Sequence, residues 1–135
     1  VSDRKYFSVE EANIIVAEIS PVVQDLVTLK KNIELNIPEL KPVMSKIKSN
    51  GGGNKKLSEH LESINKMEEL VATLNDTGCI FKDINIGLID FPHMKDGREV
   101  YLCWKLGEKK VEFWHEIDAG YAGRKPIDSR NNLVD

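Results

Sequence analysis

One apolar seam runs through the first third of the chain and limits what it can fold into. Ile15, Ile19, Val22, Leu26, Leu29, Ile33, Ile37, Leu40, Met44 and Ile47 recur at steps of four and three residues, with one repeated four between Ile33 and Ile37. That period is helical, and the repeated step is a stutter in a heptad seam. Ser8-Val9-Glu10-Glu11 stands in front as a capping box, with Phe7 at the staple position. Pro21, Pro38 and Pro42 each remove an amide donor and predict kinks. A kinked but continuous helix keeps the seam in phase; a fresh helix start at Asn36-Ile37-Pro38-Glu39 is the alternative. The flexible stretch Ser49-Asn50-Gly51-Gly52-Gly53-Asn54 follows. A second helical run then carries Leu57, Leu61, Ile64, Met67, Val71 and Leu74, with Gly78 suited to the position just past its end. A short link between long helices makes them antiparallel neighbours. At 1.5 Å per residue the arms reach about 60 and about 35 Å. The shorter arm covers only the later part of the longer one, so the stretch from Val9 to Val23 needs a sheet, or a second copy of the chain, against its apolar face.

The aromatic residues divide the chain. None lies between Ser8 and Ile80, whereas seven fall between Phe81 and Tyr121. Strands favour aromatic and β-branched residues, and the second half reads as Ile86–Phe91, Glu99–Lys105 and Lys110–Glu116, with a short strand near Cys79–Lys82. Asp96-Gly97 is a hairpin turn of the type that takes two left-handed residues. Consecutive strands on short turns form an antiparallel meander. The middle strand carries bulk on both faces, Val100, Leu102 and Trp104 on one and Tyr101 and Cys103 on the other. Both faces therefore want cover, one from the helices and the other from the C-terminal segment or a dimer partner. The expected fold is α+β: a long antiparallel helical hairpin, its first helix kinked or broken, packed on a small three- to four-stranded antiparallel sheet. A single domain spans 1–135, with the hairpin at 8–77, the sheet at 79–116 and a glycine-rich segment and tail at 117–135.

Composition narrows the function classes. The chain has 135 residues, a net charge of −3 and 41% hydrophobic residues, which suits one folded domain. An acidic balance disfavours general nucleic-acid binding. Lys41, Lys46, Lys48, Lys55 and Lys56 give a basic hairpin tip, but no aromatic is near to stack on a base. Gly51-Gly52-Gly53 lacks the Gly-Lys-Ser/Thr of a phosphate-binding loop. No apolar run approaches the roughly 18 residues of a membrane helix, and no signal-peptide pattern opens the chain. Neither membrane association nor secretion is expected; Cys79 and Cys103 are expected reduced and buried, and the location cytoplasmic.

Chemistry concentrates in Trp114-His115-Glu116-Ile117-Asp118-Ala119-Gly120-Tyr121-Ala122-Gly123-Arg124. Asp90, His115, Glu116 and Asp118 are the candidate catalytic groups, and Arg98 and Arg124 the candidate clamps for a small anionic ligand. Against these stands a plain structural reading, in which Arg124 pairs with Asp118 or Glu116 to hold a loop. Asp90 lies in an apolar strand and needs a partner, Arg98 or Arg124, or a role as acid or base. A divalent metal on His93, His115, Glu116 and Asp118 is a further option, with His93 meeting His115 across the sheet. Neighbouring strand residues point to opposite faces, so His115 and Glu116 share one ion only across a bulge. His60 is expected solvated.

Tyr6-Phe7-Ser8-Val9-Glu10-Glu11-Ala12-Asn13 resembles the opening of a prokaryotic family of uncharacterised proteins, domain of unknown function 2203. Further segments resemble it more specifically: Gly87-Leu88-Ile89-Asp90-Phe91-Pro92, then Gly97-Arg98-Glu99-Val100-Tyr101-Leu102-Cys103-Trp104, Lys105-Leu106-Gly107-Glu108, and Phe113-Trp114-His115-Glu116 on to Gly120-Tyr121-Ala122-Gly123-Arg124. The resemblance runs from about Tyr6 to Pro126 and implies a self-contained domain without supplying an activity. The leading functional expectation is an interaction or assembly module that forms a homodimer through its helices. The alternative is a small-molecule- or metal-dependent enzyme, or an anion binder, at the sheet end.

Overall fold

The computed structural model describes residues 4–50 and 54–127, with side chains omitted at 46–50. The Gly51-Gly52-Gly53 link, the side chains of Lys46, Ile47 and Lys48, and the tail beyond 127 lie outside the described residues. Helix α1 is Val9–Asn50, one element through Pro21, Pro38 and Pro42. A break at Asn36 does not occur. The Ser8 hydroxyl accepts from the Glu11 amide at 3.0 Å and the Ser8 amide donates to the Glu11 carboxylate at 2.9 Å, which closes the capping box. Helix α2 is Lys55–Asp76, and the Asn54 side chain accepts from the amides of Lys56 and Leu57 at 2.8 and 3.3 Å. Lys56 pairs with Glu39, and His60 and Ser63 share a groove with Leu29 and Asn32, so α2 runs back along α1.

Five antiparallel strands follow in sequence order: β1 Ile80–Asp83, β2 Leu88–Lys95, β3 Arg98–Lys105, β4 Phe113–Glu116 and β5 Lys125–Pro126. The sheet is larger than the three or four strands expected, because Lys125 and Pro126 pair with Trp114 and Phe113. Strand β2 also runs further than Phe91. Pro92 costs nothing on its β3 side. Its carbonyl accepts from the Phe7 amide at 2.7 Å, and a strand residue's N and C=O point to the same side, so the missing donor faces Phe7. The imidazole of His93 supplies it, with Nδ1 2.6 Å from the Phe7 carbonyl oxygen. Strand β4 starts later than Lys110, since the Val111 amide is taken by the Asn13 side chain of α1 at 2.7 Å. Asp96 and Gly97 turn the β2–β3 hairpin at φ 51° and 79°, the two left-handed residues that such a turn requires.

The core lies between the helices and one sheet face. Ala12, Val16, Ile19, Val23, Leu26 and Val27 of α1 and Leu74 of α2 pack with Ile89, Phe91, Val100, Leu102, Trp104 and Trp114. The sheet thus takes the apolar face of α1 that α2 does not reach. By length and composition α1 has an 18-residue window, of mean hydropathy 1.4, that passes for a membrane span. Within the structure 33% of that window is buried, and the core residues of α1 pack on the sheet and on Leu74 of α2. Gly87, at φ +66°, sits close against Leu106 and Val23 of this packing. A Cβ there would meet the Leu106 Cβ at 2.7 Å and the Val23 Cγ1 at 2.9 Å. Gly87→Ala is expected to lose about 2–4 kcal/mol in urea unfolding, from left-handed strain and overpacking together.

Candidate functional site

The second sheet face carries Asp90, Tyr101, Cys103, Phe113 and His115. The register explains why: Asp90 pairs with Cys103, Tyr101 with His115 and Cys103 with Phe113, and paired residues project to one side. Asp90 is 1% exposed, Cys103 0% and His115 2%, so three polar side chains from β2, β3 and β4 are shut away from water. His115 Nε2 lies 3.2 and 3.1 Å from the two Asp90 carboxylate oxygens. Its Nδ1 lies 2.7 Å from the Glu116 carbonyl oxygen. A carbonyl only accepts, so Nδ1 carries a proton and donates it. Nε2 then faces the Asp90 carboxyl group, and the contact is attractive only with a proton, carried on nitrogen or on oxygen, or a metal cation between them. Asp90 therefore finds its partner in His115, not in Arg98 or Arg124.

Burial pushes the Cys103 thiol up to about 12, and the neighbouring Asp90 charge adds to this. Cys79 is raised too, mainly by burial; it sits in the helix-side core, with Sγ 3.3 Å from the Leu74 carbonyl oxygen. Cys103 is on the other face. Neither thiol is a nucleophile at neutral pH. For Cys103 the folded value is above the unfolded one, so its contribution to stability is fully present below about pH 9 and lost as pH rises towards 12. Native protein at pH 8 is expected to leave both thiols unreacted with an aromatic disulfide reagent over minutes, and denatured protein to react at both; a fast thiol in the native state would contradict this burial.

The remaining candidates are dispersed. Arg98 donates to both Glu116 oxygens at 3.1 and 2.7 Å, and that hydrogen bond holds the Glu116 carboxyl below its usual range. Arg124 grips Glu108 rather than Asp118 or Glu116, with one terminal nitrogen 2.8 and 2.9 Å from its oxygens. The guanidinium lies 4.0 Å from the centre of the Phe113 ring and 4.9 Å from that of Tyr121, so the C-terminal segment covers this sheet face. Asp118 is exposed beyond β4. His93 lies on the helix side of the sheet, paired with Val100, and does not meet His115. The proposed metal set His93, His115, Glu116 and Asp118 is therefore not gathered at one point. His60 is half-buried, and its Nδ1 has no partner among the described residues. Sequence reasoning missed Cys103 and Glu108. The equal spacing from the Asp96-Gly97 turn points to Cys103, whereas nothing local points to Glu108.

A family model described as an uncharacterised conserved protein (DUF2203) matches residues 5–127. No curated protein and no solved structure matches the chain.

Proposed function

Because the chain belongs to the family known as domain of unknown function 2203, whose description assigns no activity, we propose a function from the geometry: an assembly module that forms a homodimer through the distal part of its helical hairpin. The observation that carries this reading is a set of three apolar side chains, Ile37, Met44 and Leu61, exposed at 45%, 54% and 51%. They lie where only two helices are present. Two helices bury one seam between them, here Ile33 and Leu40, at 8% and 6% exposed, and leave their flanks wet. Ile37 and Met44 are seven residues apart, hence on one flank of α1. On α2 the residues Lys56, Glu59, His60 and Ser63 line a groove on one flank, and Leu61 is turned to the other. The three side chains therefore share a side of the pair.

Two such pairs placed side to side make a four-helix bundle, the usual way to cover this surface, and a two-fold axis makes the patch its own complement. Charge supports a like partner over a nucleic acid. The chain carries a net charge of −3, which disfavours a nucleic acid, and within the basic tip Lys55 and Lys56 pair with Glu59 and Glu39. The alternative of an enzyme or anion binder at the sheet end has less support. Arg98 and Arg124 already hold carboxylates, Asp90 and His115 hold each other, and none of the four lines either of the described grooves.

Met44→Glu combined with Leu61→Glu is expected to weaken dimerisation at least a hundredfold by sedimentation, since a buried charge at a central contact costs several kcal/mol. The unfolding midpoint of the monomer should be unchanged, because both side chains are already exposed. Leu35→Glu, on the groove flank at 73% exposure, is expected to leave the dimer intact. Equal dissociation constants for the double variant and the unaltered protein would remove this surface as the interface.

A further inference from the structure

We propose that Asp90, Cys103 and His115 form a binding site for one divalent transition metal ion of the zinc type. The site goes beyond the assembly reading and does not depend on it. One carboxylate oxygen, one thiol sulfur and one imidazole nitrogen lie within 4.8 Å of one another, all on buried residues. They come from three adjacent strands, so the sheet register itself brings them together. Borderline and soft donors of this mixture suit zinc or cobalt and not magnesium or calcium.

The hydrogen bonding around His115 carries the argument furthest. Nδ1 is committed as a donor to the Glu116 carbonyl at 2.7 Å. That is the support a metal-bound histidine usually has, since it fixes the ring and leaves the other nitrogen's lone pair for the metal. Here the other nitrogen, Nε2, points at both oxygens of Asp90 at 3.2 and 3.1 Å, so that either a proton or a metal cation must lie between them. A proton meets that need for two residues. It does not account for a third metal-binding group, Cys103, at 0% exposure beside them. Donors around a tetrahedral zinc, with bonds of about 2.0–2.3 Å, stand roughly 3.3–3.6 Å apart. The oxygen–nitrogen spacing is already within a few tenths of an ångström of this, and the sulfur needs a movement of about 1 Å, within the reach of side-chain rotation. Metal binding would replace the proton on sulfur, and the fourth position would fall to a water or a small anion.

The test titrates protein stripped with a chelator with cobalt and then zinc. One equivalent of cobalt is expected to give a thiolate-to-metal band in the near ultraviolet together with visible bands of tetrahedral intensity. Zinc should abolish both and raise the melting temperature. Cys103→Ser should lose the near-ultraviolet band and at least tenfold in affinity, while Cys79→Ser and His93→Gln keep both. If Cys103→Ser fails to fold, the unaltered protein and Cys79→Ser decide, because Cys103 is then the only thiol left to give the band. No thiolate band and no zinc-dependent melting shift in the unaltered protein would overturn the site and leave a plain imidazolium–carboxylate pair. A band that follows Cys79 instead would overturn it equally.

Discussion

Asp90→Ala in the metal-free protein is expected to lower unfolding stability by about 3–5 kcal/mol, the usual cost of removing one partner from a buried charge pair. Asp90 is 1% exposed and His115 2%, and each is the other's buried partner through Nε2. Taking away the carboxylate leaves a ring that has one nitrogen committed to the Glu116 carbonyl and the other facing an apolar hole. Two ionisable groups have been taken out of water at this point, so the pair itself adds little net stability. The account therefore predicts strong non-additivity. Asp90→Leu with His115→Leu should be less destabilised than the sum of the two single changes by 1 kcal/mol or more, since no charge is then orphaned. Additive losses in urea titrations would mean that the two side chains do not depend on each other.

Trp104→Ala is the second large effect, again about 3–5 kcal/mol. Trp104 is fully buried in the central strand and is the largest such side chain in the chain. It packs into the core shared by α1 and the sheet, and its Nε1–H donates to the Glu108 carbonyl at 2.9 Å. Removal opens a cavity and frees an acceptor in the loop that presents Glu108 to Arg124. Trp104→Phe retains most of the volume and is expected to cost less than half as much. The ratio of the two losses separates packing from the hydrogen bond. Equal losses would place the effect in the hydrogen bond alone.

Much of the architecture could be read from local signals, since it depends on local chemistry. The capping box at Ser8, the seam of α1, the asparagine and glycine that bound α2, and the Asp96-Gly97 hairpin all act over a few residues. That hairpin also encoded two of the three residues of the buried cluster. Asp90 and Cys103 lie equally far from the Lys95–Arg98 pair, so a two-residue turn sets them opposite each other. His115 joins through the β3–β4 register, which no turn motif fixes because the connecting loop is long and irregular. The partners that could not be read are long-range ones. Arg124 takes Glu108 because the C-terminal segment folds back over Phe113. His93 is fixed by a deficit elsewhere, the donor that Pro92 lacks for the Phe7 carbonyl. Sequence separation also hid β5, a two-residue strand containing proline. The continuity of α1 through three prolines followed from the phase of its seam, which tertiary packing holds where propensity alone would not.

The central claim is self-assembly through the distal helices, and light scattering on the purified protein at micromolar concentration tests it most directly. The chain mass is 15.3 kDa. The account predicts a mass twice that value for the unaltered protein, falling to the single-chain value for Met44→Glu with Leu61→Glu. A monomer at the single-chain mass throughout the micromolar range would contradict it.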